Sequence, residues 1–224
     1  MYSARSLHRL FLATAIAIGV TSLANIALIL PLGVAQLLEA AGAVSAADTL
    51  RFTDTLPPVA FTLPLLAMLV SGVLFLAWLG RARRHLNDFA GADPKYSPGW
   101  TIGAWFIPLG NMIMPGLVVA DLAKASVAPG TPRGRLLGLV WAWWGCWIAQ
   151  YVFTYASVIV RDLTTASIID LVSLAFLCAA GVLAVLMMRD LGRAQAARMA
   201  DEDAAPNPAD FPAFTVDDVA RPLP

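Results

Sequence analysis

The sequence predicts an all-α polytopic membrane protein: four transmembrane helices plus a Pro-broken segment at 102–122 that is re-entrant or interfacial. Three observations predict it. Hydrophobic residues make up 59% of the 224 residues and charged residues only 13%, about half the share of ~25% usual in soluble domains. Mean hydropathy is +0.72. The remaining charges collect at the ends of long apolar runs, where snorkelling and topology signals place them.

The first run covers residues 10–38, with no charge between Arg9 and Glu39, and a span needs about 20 apolar residues. Its start has the look of a signal peptide, with Arg5, His8 and Arg9 ahead of the apolar stretch and small residues at Ser22 and Ala24. A signal's apolar region is roughly 7–15 residues long, and this one continues past Asn25 to Leu30. The expectation is an uncleaved signal-anchor, kinked near its outer end by Pro31. Residues 39–56, with Glu39, Asp48, Arg51 and Asp54, read as an external loop. The second span, 59–80, enters through Pro57-Pro58 and ends at Arg81, Arg83 and Arg84.

Residues 102–122 are apolar but hold Gly103, Pro108, Gly110, Asn111, Pro115 and Gly116. An interior proline removes a hydrogen bond and clashes with the preceding turn, a cost of about 3 kcal/mol, so a continuous helix is not expected. The third span covers 136–160 and closes on Arg161-Asp162; after a tight turn, the fourth covers 167–188 and closes on Arg189-Asp190. Charge settles the topology. If 102–122 does not cross, thirteen Lys and Arg fall on one side and two, Arg51 and Arg161, on the other; if it crosses, the split is seven to eight. Basic residues favour the cytoplasmic side, so four spans are expected, with both termini in the cytoplasm. Thirteen Arg against two Lys suggests a high-GC bacterium and hence its plasma membrane. Residues 1–199 form one domain, and 200–224, acidic and proline-rich, read as a disordered tail. Its Phe211-Pro-Ala-Phe214 is a candidate docking motif.

The segment 78–122 carries the motif: Trp78-Leu-Gly-Arg-Ala-Arg-Arg84, Asn87, Tyr96-Ser-Pro-Gly-Trp100, Gly103, Trp105-Phe-Ile-Pro108, Asn111, Pro115 and Asp121. With the Trp-rich stretch Trp141, Trp143, Trp144 and Trp147, this resembles a bacterial membrane family, domain of unknown function 4328, over roughly 75–148. The chain has Gly116 where that family often carries an aromatic or basic residue. The resemblance implies a four-helix membrane protein and supplies no activity.

The candidate site follows from the broken segment. Backbone freed at a helix break is tolerated at membrane depth only against protein or water, and transporters build sites there. Trp105, Phe106, Pro108, Asn111, Pro115 and Asp121 are therefore the ligand or structural motif, with Asn111 expected to bond the freed backbone or a ligand. Arg81, Arg83 and Arg84 are expected at lipid headgroups and as topology determinants, one of them pairing with Asp121. Trp100, Trp105 and the Trp141–Trp147 cluster are expected in the aromatic belt. Asp170 is placed to reach water or Arg161. Asn25 and Gln150 read as inter-helix hydrogen-bonding residues, and Cys146 and Cys178 as small core hydrophobes at similar depth.

No phosphate loop, dinucleotide fingerprint or catalytic His or Ser spacing occurs, and a net charge of zero gives no field for nucleic acid. No metal, cofactor or enzymatic activity is expected. The first functional expectation is a membrane interaction or scaffold protein whose partners are the lipid bilayer and a second copy or another membrane protein, joined through Ala15/Gly19 or Ala180/Gly181/Ala184. The alternative is a homodimeric transporter or channel using 102–122, and a lipid-modifying enzyme ranks third.

Overall fold

The computed structural model describes residues 4–204, and within them seven α-helices. These are α1 (Ala4–Ala40), α2 (Ala46–Thr55), α3 (Pro58–His85), α4 (Trp100–Gly103), α5 (Met114–Ser126), α6 (Gly134–Ile159) and α7 (Leu163–Ala204). Four of them, α1, α3, α6 and α7, are long and apolar enough to cross a membrane, as the sequence predicts. At 1.5 Å per residue the shortest, α6, is about 39 Å long and exceeds a hydrocarbon core of about 30 Å.

The spans pack in the order α3–α1–α7–α6. Their register is antiparallel throughout: Thr21 Oγ1 of α1 lies 3.3 Å from Ser71 Oγ of α3, Ser167 Oγ of α7 donates to Gln36 Oε1 of α1 at 2.7 Å, and Thr154 of α6 meets Ser173 of α7 at 2.7 Å. Small residues let α1 approach α7. A methyl group on Gly181 would come within 3.1 Å of both Ile18 and Ser22, and Ala180 and Ala184 are buried beside it. In lipid, where apolar surface gives no drive to associate, such close van der Waals contact holds helices together. One of the two small-residue faces expected to bind a partner is therefore an internal contact of this chain.

Three features differ from the sequence reading. Residues 39–56 contain a helix, α2, started by Ser45, whose hydroxyl accepts from the Asp48 N–H at 3.2 Å and donates to the Asp48 carboxylate at 2.7 Å; this N-cap is written in the sequence as Ser-x-x-Asp. Asn25 bonds not across helices but to Thr21 O of its own helix at 2.9 Å. Finally α7 does not stop near Met188: it stays helical to Ala204, so 200–204 belong to it. Residues 205–224, including Phe211 and Phe214, lie outside the described residues.

The turn between α6 and α7 is as short as expected. Asp162 accepts from the N–H and the hydroxyl of Thr165, at 2.8 and 2.5 Å, and caps the start of α7. These two bonds hold its carboxyl below the usual carboxylate range.

Candidate functional site: a re-entrant hairpin and an apolar cavity

The broken segment is a hairpin that returns to the level of the spans. After α3 the chain runs through a 3-10 turn (Leu86–Asp88) and the short α4, which places Trp105 against Phe75, with ring centres 5.9 Å apart. Phe75 lies six residues inside Arg81, about 9 Å along the helix. Trp105 also meets Trp143 and Trp144 of α6 at 6.3 and 5.8 Å. The chain then turns over and α5 leads back out, ending where Ser126 accepts from Gln195 Nε2 of α7 at 3.0 Å. The segment is thus a hairpin packed against α3 and α6, with α3 ending and α6 beginning at the same end of the bundle.

The prolines do as their chemistry requires. Pro115 sits in the first turn of α5, where its missing N–H is no loss, so it starts a helix instead of breaking one. Pro108 precedes Leu109, whose φ of 62° is the sole positive value among described non-glycine residues. The turn satisfies its own backbone through Gly110 N to Pro108 O (2.7 Å), Asn111 N to Ile107 O (2.9 Å) and Met112 N to Leu109 O (3.2 Å). The Asn111 carboxamide has no part in this. It is exposed and bonds to no other group among the described residues, so the expected role of bonding the freed backbone falls to the turn itself. The tip is apolar and open: Phe106 is 73% and Leu109 84% exposed.

Asp121 and Arg83 are joined, but through the backbone of one residue, Tyr96. The Asp121 carboxylate accepts from the Tyr96 N–H at 3.2 Å, and the Tyr96 carbonyl accepts from Arg83 Nε and Nη2 at 3.3 and 3.1 Å. Arg83 also donates to Asn87 Oδ1 at 3.3 Å. Arg83 is buried, so the headgroup role expected for it is replaced by holding the 96 peptide against α3. Arg84 is exposed and Arg81 half-buried, at the end where headgroups lie. Asp170, half-buried, makes no ion pair with Arg161.

Two residues of α7 complete this end of the bundle. Gln195 donates to Ala82 O at 2.8 Å. Arg198, buried at 4% exposure, donates to Ala125 O at 2.7 Å, Ala90 O at 2.5 Å and Glu202 at 3.3 Å, with its guanidinium 4.9 Å above the Phe89 ring. Glu202 in turn accepts from the Ala90 N–H at 3.1 Å. The sequence reading counts Arg198 only as a topology charge. The i,i+4 spacing of Arg198 and Glu202 is the signal that could have marked the helix as continuing.

Trp105, Trp143 and Trp144, expected in a belt, form a core cluster instead. Trp78, Trp143 and Trp144 are buried, while Trp100 and Trp141 are exposed. Gly116 explains the cluster's fit: a Cβ there would lie 2.6 Å from Trp144 Cδ1 and 2.8 Å from its Nε1, so the indole lies directly on the α5 backbone.

Beside this cluster the spans border a half-open apolar cavity of about 490 Å³. It exists because α3 and α6 barely touch, bridged chiefly by Phe75 on Trp143 at 5.5 Å. Trp105 and Phe106 form its rim, and Asn111 and Asp121 do not line it. No cluster of three or more metal-ligating side chains occurs among the described residues.

The sequence profile of one family, described as Domain of unknown function (DUF4328), matches residues 41–193. No curated protein and no solved structure matches the chain.

Proposed function

The chain belongs to the DUF4328 family, and from that premise we propose that this multi-pass membrane protein is an interaction or scaffold protein, not an enzyme, and that its partner is a second copy of itself. The observation that carries the reading is the outer face of α1. Its exposed residues Leu12, Ile16, Gly19, Leu23, Leu30 and Val34 recur every three or four positions or a multiple, one stripe along the whole helix. A Cβ on Gly19 would meet nothing within 4 Å, so a second helix could approach closely there. The polar groups at the opposite, arginine-rich end are engaged in the internal bonds of Arg83, Gln195 and Arg198, which favours a rigid frame over a moving one. A transport pathway finds no support, since neither Asn111 nor Asp121 faces the cavity.

The same reading places the protein in a bacterial plasma membrane with both termini in the cytoplasm, supported by the thirteen-to-two distribution of basic residues. A photocrosslinking residue at Ile16 or Leu23 should yield a covalent dimer in native membranes, and Gly19→Ile should abolish it. A chain that stays monomeric at both positions contradicts the proposal.

A further inference from the structure

The cavity between α3 and α6 is unrelated to the α1 stripe, and its shape says what fits it. Along α3 it extends from Met68 to Leu76 and along α6 from Trp143 to Tyr151, eight residues each and so about 12 Å high. The cavity begins at the Trp105 rim, inside the arginine-side ends of α3 and α6, and reaches the middle of the spans. Its volume, about 490 Å³, is within the range of about 300–1,000 Å³ of small-molecule sites.

Its chemistry agrees. No charged residue is in the lining. The Thr21 and Ser71 hydroxyls, which do line it, already donate within the protein, Thr21 to Ala17 O at 2.9 Å and Ser71 to Met68 O at 3.0 Å. Left empty, so large an apolar space would forfeit the dispersion contacts of all its walls. It opens sideways, beside Leu69, Val73 and Phe106, which line it and are 54%, 66% and 73% exposed, so a lipid can enter from the bilayer. At the rim, the Trp105 indole N–H is buried without an acceptor among the described residues.

We propose that the α3–α6 cavity is a binding site for an acyl chain of a glycerophospholipid from the arginine-side leaflet. Gly72 supplies the test. It lines the cavity, and a Cβ there meets nothing within 4 Å, so Gly72→Leu adds apolar volume that starts in open space. The full chain would be reconstituted into phosphatidylethanolamine/phosphatidylglycerol vesicles whose phospholipids carry mid-chain bromines, and tryptophan quenching followed as unbrominated lipid is added. After extraction in mild detergent, native mass spectrometry counts the phospholipids retained. The wild type should keep one phospholipid per chain and resist displacement at least tenfold better than Gly72→Leu, which keeps none while unfolding at the wild-type temperature. Equal retention and equal displacement in the two proteins would overturn the proposal, as would a crosslinker at Val73 that captures a second chain in place of lipid. Because Gly72 is not on the α1 stripe, loss of lipid with an intact α1 crosslink separates this site from self-association.

Discussion

Gly116→Ala is a substitution whose sign can be worked from the structure. In an open helix the change would be favourable, because alanine exceeds glycine in helix propensity by about 0.8–1 kcal/mol. At 116 the added methyl meets three atoms of the Trp144 ring at 2.6, 2.8 and 2.9 Å. Trp144 cannot turn aside, since it is buried and held between Trp105 and Trp143 at 5.8 and 5.4 Å. Overpacking of this kind costs about 1–3 kcal/mol, and position 116, in the first turn of α5, gains less than the full propensity term. The net expectation is destabilisation by about 1–2 kcal/mol. The assay is unfolding in detergent micelles followed by tryptophan fluorescence, with Gly192→Ala as control. Gly192 is helical too, in α7, but a methyl added there meets nothing within 4 Å, so its alanine variant should be neutral or more stable. In a Trp144→Leu background the penalty at 116 should vanish, a coupling visible in a double-mutant cycle. Gly116→Ala as stable as the wild type, with additive effects in the cycle, would refute the reasoning.

Three further outcomes follow from the arginine end and the α6–α7 turn. Arg198→Met removes the donor from two part-buried carbonyls and leaves Glu202 without its cation, a loss of about 1–3 kcal/mol that should appear as faster amide exchange at Ala90 and earlier proteolysis after Met188. Arg83→Gln and Asp121→Asn should each raise exchange at the Tyr96 amide and cost about 1 kcal/mol, with the double variant little worse than either single one, because both act on one residue, Tyr96. For Asp162, whose folded carboxyl titrates below the usual range, the charged form is favoured in the native state. Its contribution is therefore present above the ordinary carboxylate pKa and lost as pH falls through the lowered folded value. The pH dependence of Thr165 amide protection should show this loss, and Asp162→Asn should remove it.

The spans were legible because the bilayer imposes length and apolarity on contiguous residues, and the break at Pro108 because proline's cost is local. The exit of the chain on the side it entered was legible from basic residues alone. What could not be read were features that depend on distant partners. Arg83 and Arg198 look like any flanking arginine until Tyr96, Ala90 and Ala125 come to meet them. Trp143 and Trp144 look like belt residues until the hairpin returns Trp105 to their level and Gly116 leaves room. Asn111 looks like the polar residue a broken helix needs, yet the turn closes on its own amides and leaves the carboxamide outside. The cavity is the absence of an α3–α6 contact, and no local pattern encodes an absence.

Central to this architecture is the hairpin 105–113, packed against Phe75 and Trp143 of the spans and ending in an apolar tip. The direct measurement is a single spin label at Leu109→Cys in a chain lacking Cys146 and Cys178, in vesicles, compared with the same label at Lys124→Cys. The label at 109 should be relaxed by oxygen, shielded from a water-soluble nickel chelate, and refractory to impermeant maleimide from either side, while 124 reacts from one side. A Leu109→Cys thiol that reacts with maleimide as readily as Lys124→Cys, and whose label meets nickel more than oxygen, would put the hairpin in water and contradict this architecture.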